Sequence, residues 1–272
     1  MDVASVGIWH QIVVLGLHGF DSHRPPHFII LLTIPGLFSI LANRIRSLFT
    51  HPFIRTEGAM VDQNKTELVC ILDKSGSMGS LATDVIGTYN TFIEDQKKYP
   101  GEARVTLTLF NQEANIVHDG VPLTEVPGLT TKEYSADGTT ALLDAIGDTI
   151  NTIGKRLEDT PESDRPGQVV FMIFTDGLEN ASKEYSSDQI KDMIKEQESA
   201  YAWQFIFAGS GLDTVHYAMD SLQMKGSRSH GMVTSSAAGL RSFTHNLSAQ
   251  VGKYRSSGEA TDLDDTSSSA NT

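Results

Sequence analysis

The chain has 272 residues, 39% of them hydrophobic and 20% charged, the balance of a globular protein with a full core. Acids outnumber bases 34 to 21 for a net charge of −13, which excludes a broad electrostatic grip on nucleic acid or anionic lipid. A single cysteine rules out an internal disulfide and a zinc knuckle, and it points to a reducing, cytoplasmic setting.

Residue usage changes along the chain. Residues 1–60 hold five of the nine His and four of the nine Pro, with four Arg and no Lys. The uncharged run at 28–42 is 15 residues long, short of the ~20 that a spanning helix needs, and Pro35-Gly36 interrupt it. No basic region precedes the apolar run that starts at Ile12, so a secretory signal is not expected. Two readings remain for 1–59: a membrane-associated segment, or a start codon set too far upstream with Met60 as the natural beginning. The composition favours the second. Residues 256–272 (SSGEATDLDDTSSSANT) lack aromatics and carry one Leu, so they are expected to form a disordered acidic tail. Residues 60–255 are then the working domain.

Within it, 67–73 (ELVCILD) reads as a buried parallel strand. Val85, Ile86, Tyr89, Phe92 and Ile93 have helical spacing over 83–99, and Pro100-Gly101 stop that helix. An alternating strand at 103–111 is followed by a hairpin partner at 114–118. A helix over 140–157 aligns Leu142, Leu143, Ile146, Ile150 and Ile153 on one face. The most apolar strand is 168–175 (QVVFMIFT). A helix capped by Ser187-Asp188 runs to about 199, and 202–208 is a further strand. A short helix at 213–222, a weak strand at 231–235 and an amphipathic helix at 236–254 complete the pattern. Strands alternating with helices define an α/β fold, a doubly wound and mostly parallel sheet with one antiparallel edge strand and helices on both faces.

Such sheets present ligands beyond the carboxyl ends of their strands. Three polar clusters fall there: DKSGSMG at 73–79, DGTTAL at 137–142, and TDGLEN at 175–180. Asp73, Ser75 and Ser77 alternate in a tight loop and can turn toward one point, and Thr140 and Asp176 complete an all-oxygen shell. Hydroxyls with one or two carboxylates suit Mg2+ or Mn2+, and the lack of His and Cys argues against zinc or copper.

These motifs resemble those of the von Willebrand factor A domain. Asp-x-Ser-x-Ser follows one buried strand, Gly-Thr-Thr-Ala-Leu-Leu-Asp-Ala-Ile opens a helix, and Thr-Asp-Gly follows a second buried strand. Together they match the family's metal-ion-dependent adhesion site (MIDAS), in the family's order, across 60–255. The resemblance implies a Rossmann-like sandwich in which Ser75, Ser77 and Thr140 ligate directly, and Asp73 and Asp176 ligate directly or through water. Thr139 stands where the family has glycine, which leaves the choice between Thr139 and Thr140 open. The stretches GEAR at 101–104 and GLENAS at 177–182 are similar to small stand-alone bacterial or phage members. Those members work alongside ATPases or in stress and metal-resistance systems, so a protein partner is implied, an ATPase among the candidates.

Plainer roles compete at each position. Asp73, Ser75 and the threonines are good helix caps, and Asp176-Gly177 suits a turn. Lys74, Glu179 and Asn180 read as solvated loop residues, and Asp144 as either a support for the cluster or a surface carboxylate. His216, His230 and His245 form no catalytic pattern, and Cys70 reads as a small buried hydrophobe. A Mg2+-dependent phosphatase or hydrolase is the alternative to a binding module. It needs a second acid two residues after Asp73, and Ser75 is there instead; no phosphate loop or Gly-x-Ser-x-Gly elbow occurs. The expectation is a non-enzymatic module whose metal captures a partner's Asp or Glu, with no nucleic acid involved and membrane contact only through 1–59.

Overall fold

The computed structural model describes residues 61–209, 222, 229–233 and 237–258. The expectations for 1–59, for the helix at 213–222 and for most of the acidic tail lie outside these residues.

Six strands form one sheet in the order β3-β2-β1-β4-β5-β6: β1 (Asp62–Asp73), β2 (Glu102–Phe110), β3 (Ala114–Pro122), β4 (Pro166–Thr175), β5 (Gln204–Gly209) and β6 (Ser229–Val233). Among the described strands only β3 runs antiparallel, as the expected edge strand. Among the described residues four α-helices cover the sheet: α1 (Ala82–Gln96), α2 (Leu142–Asp159), α3 (Ser187–Tyr201) and α4 (Ala237–Ser257).

Alternation along the central strands explains two cores. Leu68, Cys70 and Leu72 of β1 point to one face with Val170, Met172 and Phe174 of β4, where α1 and α4 cover them. Val69 and Ile71 point to the other with Val169, Phe171 and Ile173, beneath α2 and α3. Strands buried on both faces need apolar residues at every position, which is why these segments read as continuous runs. Cys70 is buried, and its thiol is pushed up to about 12 by burial.

Several boundaries differ from expectation for physical reasons. β1 begins at Asp62, because its polar first turn-length still pairs with β2 and β4 beyond the covered core. α1 stops at Gln96, and residues 97–99 form a turn before Pro100. α3 is capped by Ser186 rather than Ser187: the Ser186 Oγ accepts from the Gln189 N–H, and the Gln189 side chain accepts from the Ser186 N–H. α4 continues through Ser257, so residues assigned to the tail close the last turn, and the Gly258 N–H donates to the Tyr254 carbonyl at 2.8 Å. Among the described residues no helix is long and apolar enough to cross a membrane.

The strand order reverses between β1 and β4. The chain leaves neighbouring strands there in diverging directions, which opens a crevice past their carboxyl ends. Asp73 ends β1 and Thr175 ends β4, so the fold delivers two of the three predicted clusters to that crevice.

Candidate metal centre

Each predicted side chain is held by its own local structure. Asp73 is fully buried; its Oδ1 accepts from the Ser75 N–H at 2.6 Å and its Oδ2 from the Thr175 hydroxyl at 2.5 Å. Burial pushes its carboxyl above the usual range, the Thr175 and Ser75 hydrogen bonds pull it back, and the nearby Asp176 charge adds to the rise. Ser75 is buried, with its Oγ 3.1 Å from the Ser77 Oγ. The Ser77 hydroxyl donates to Asp176 Oδ1 at 2.6 Å. A Cβ added at Gly177 would lie 3.2 Å from Thr140 Oγ1 and 3.7 Å from Ser77 Oγ, which puts the Thr140 hydroxyl on the same cluster. Thr140 is buried and Thr139 exposed, so of the two candidates Thr140 faces the site.

All five predicted residues therefore converge. Their contacting atoms are hydroxyl and carboxylate oxygens only. Two are carboxylates, and among the described residues no group of three or more His, Cys, Asp and Glu side chains could hold a metal ion. That donor set excludes a soft-metal cage and fits a hard cation that keeps several waters, as Mg2+ does.

The sequence reading missed the residues that hold the three loops together. The Lys74 N–H donates to the Phe110 carbonyl at 2.7 Å, and the Gly76 N–H to the Gly138 carbonyl at 3.0 Å. Gly138 has φ +74, a left-handed conformation that L side chains rarely adopt, so this corner favours glycine. Asn111, at the end of β2, donates from Nδ2 to Asp137 Oδ1 at 2.7 Å, and its carbonyl accepts from the Ala141 N–H at 2.7 Å.

Glu179 is half-buried rather than solvated, and Asn180, an exposed loop residue as expected, is nonetheless hydrogen-bonded to the threonine of the cluster. Glu179 accepts from the Leu143 N–H at 3.0 Å, the Ala181 N–H at 2.8 Å, the Ser182 N–H at 2.7 Å and the Ser182 hydroxyl at 2.7 Å. It thus neutralises the open amino end of α2, where a negative charge is favoured. Asn180 Oδ1 accepts from the Thr140 N–H at 3.0 Å, and its own N–H donates to the Thr140 carbonyl at 3.1 Å. Asp144 accepts from the N–H groups of Lys183, Glu184 and Tyr185 at 2.8–3.0 Å, so of its two readings the support role is the one observed. Asn180 was findable as the polar residue four past Asp176 and Asp144 as the carboxylate one helical turn past Thr140; Glu179 carries no spacing signal.

No protein-family model and no curated protein matches this sequence. Solved structures do. The fold is similar to the PilB minor pilin from Streptococcus sanguinis (TM-score 0.53, 12% identity, 73% of this chain and 63% of that one). It is also similar to the vWF domain of the type V pili tip protein Mfa5 from Porphyromonas gingivalis (TM-score 0.52, 11% identity, 73% of this chain and 99% of that one). The chain spans less than two thirds of the pilin's length. At these identities the likeness defines the fold, which is von Willebrand factor A-like: a Rossmann-like α/β sandwich.

Proposed function

We propose that the chain is a divalent-cation-dependent protein-binding module, using a MIDAS-type site of the small stand-alone bacterial or phage kind. Asp73, Ser75, Ser77, Thr140 and Asp176 hold Mg2+ or Mn2+, and an Asp or Glu side chain of a protein partner takes a position they leave open. One observation carries this reading: the unbroken run of oxygens from Ser75 through Ser77 to Asp176, with the Thr140 hydroxyl beside it, at the point where the strand order reverses. A resident cation would supply the local positive charge that an acidic partner needs on a chain of net charge −13. The partner class is a cytoplasmic protein, ATPases included.

The reading is non-enzymatic. A phosphatase would need a proton donor where Ser75 stands, and a hydroxyl hydrogen-bonded to Ser77 is too weak an acid for that task. N-acetylglutamate serves as a carboxylate probe, followed by NMR shifts of the protein. The expected result is binding that requires Mg2+, vanishes with EDTA and is lost in Asp176→Ala. Shifts indifferent to Mg2+ would contradict the reading. Mg2+-dependent hydrolysis of p-nitrophenyl phosphate that Asp73→Asn abolishes would favour the phosphatase instead.

A further inference from the structure

Residues 126–141 contain no strand and no α-helix, yet Tyr134 in their midst is only 2% exposed. Its ring packs in the core under α1 and α4. Its phenol O–H crosses to the end of β1 and donates to the main-chain carbonyl of Asp73. A buried phenol usually finds an acceptor, and this one has taken a carbonyl at the first residue of the cation loop.

The same stretch touches that loop twice more. The Asp137 N–H donates to the Lys74 carbonyl at 2.9 Å, and the Gly138 carbonyl accepts from the Gly76 N–H at 3.0 Å. Residues 134–138 therefore lie as a splint along 73–76. The splint is itself anchored at both ends. Asn111 holds Asp137, and Asn90 of α1 brackets Leu129, accepting from its N–H at 2.7 Å and donating to its carbonyl at 2.9 Å.

We infer that Tyr134 is a positioning residue for the cation loop: by fixing the main chain at Asp73 it sets the direction in which Ser75 and Ser77 project. The inference rests on the metal reading above. A loop already held in its binding geometry costs little to order when the cation arrives, whereas a loosened loop must be ordered at that moment. Removing an outer hydrogen bond of this kind typically weakens metal affinity about 10-fold or more.

Tyr134→Phe keeps the ring and deletes only the O–H. Two measurements on the full chain separate its role from that of the metal. The first is amide hydrogen exchange in metal-free protein. The expected result is exchange at least about tenfold faster at Ser75 and Gly76, with Ile71 and Phe171 unchanged. A merely structural role would speed all four together, and no change at Ser75 and Gly76 would overturn the inference outright. The second is Mg2+ titration, where the dissociation constant should rise about tenfold; an unchanged constant beside a binding wild type would also overturn it. If the wild type binds no Mg2+, the metal reading fails while the exchange result still decides whether Tyr134 fixes the loop. Should Tyr134→Phe fail to fold, Asn111→Ala cuts the same splint at Asp137 and carries both measurements.

Discussion

Both faces of the sheet bury large apolar side chains, more of them under α1 and α4, but the two faces differ in how their buried polar atoms are paired. Under α2 and α3, Phe171 stacks on Phe205 and Trp203 with centroids 4.8 and 5.3 Å away. Polar groups there are paired: Thr108 with Thr149 at 3.0 Å, Thr106 with Glu67 at 2.8 Å, and Glu67 with Arg156 at 2.5 Å. Under α1 and α4 lies an apolar cavity of about 60 Å³ lined by Cys70, Tyr89, Phe92 and Leu247 among others. The buried polar atoms without a partner, among the described residues, are Thr88 Oγ1, Tyr89 Oη, Ser248 Oγ, Gln250 Oε1 and Arg255 Nε, all on α1 or α4. The loops after β4 are strapped to α2 through Glu179 and Asp144, on the well-paired side. The loop after β4 is thus held from the α2 and α3 side, whereas the loop after β1 is held through Tyr134 from the α1 and α4 side. There α4 combines apolar contact with a few polar ties, the Gln96 Nε2 donating to the Ser248 carbonyl at 2.9 Å and Arg255 to the Gln96 carbonyl at 2.8 Å, and leaves other polar atoms unpaired.

The largest test of this contrast is truncation of one core side chain on each face. Phe171→Ala should cost about 4 kcal/mol, because a stacked ring leaves a hole its neighbours cannot fill. Leu247→Ala, already beside a cavity, should cost about 2 kcal/mol. Urea unfolding of both variants measures the difference, and equal losses would break the comparison.

Next in size is the ion pair. Glu67 is buried, and Arg156 on α2 is its cationic partner. Arg156→Met should destabilise the domain by about 3 kcal/mol near neutral pH, since it strands a buried charge. The sign of the pH effect follows from Glu67, whose carboxyl is raised by burial against the opposing pull of Arg156 and Thr106. An acid raised in the folded state contributes stability that is complete below its unfolded value, near 4.5, and lost as pH rises through the folded value. Stability should therefore increase as pH falls toward that value. The dependence should steepen in Arg156→Met and flatten in Glu67→Gln, as read from urea midpoints across pH.

The smallest effect sharpens the other face. Thr88→Val and Tyr89→Phe each remove a buried hydroxyl that has no partner. Each should stabilise by about 1 kcal/mol, visible as a higher melting temperature. A loss of stability in both would mean those hydroxyls are satisfied after all.

The parts of this arrangement that were legible in the sequence are those written in contiguous patterns. The continuous apolar runs of β1 and β4 announced central parallel strands, and the polar clusters at their ends announced where Asp73, Ser75, Ser77 and Asp176 would meet. The helix opening pointed to Thr139 or Thr140, and only burial in the fold separates them in favour of Thr140. What stayed hidden acts across distance. Tyr134 reaches Asp73 over 61 positions, and Glu179 reaches Leu143 over 36. No periodicity links such pairs, and a lone Tyr or Glu in a loop looks solvated until the fold brings its partner alongside. Element ends were blurred for a related reason: β1 keeps pairing past its apolar stretch, and α4 keeps its hydrogen bonds into residues whose composition reads as tail.

In the proposed reading, the cluster at the β1–β4 switch point holds a hard divalent cation. Calorimetric titration of Mg2+ and Mn2+ into the full chain, wild type beside Asp73→Ala, tests it most directly. The expected result is saturable binding of both ions to the wild type, and none to a variant that still folds. Equal binding to the two proteins, or none to either, would contradict it.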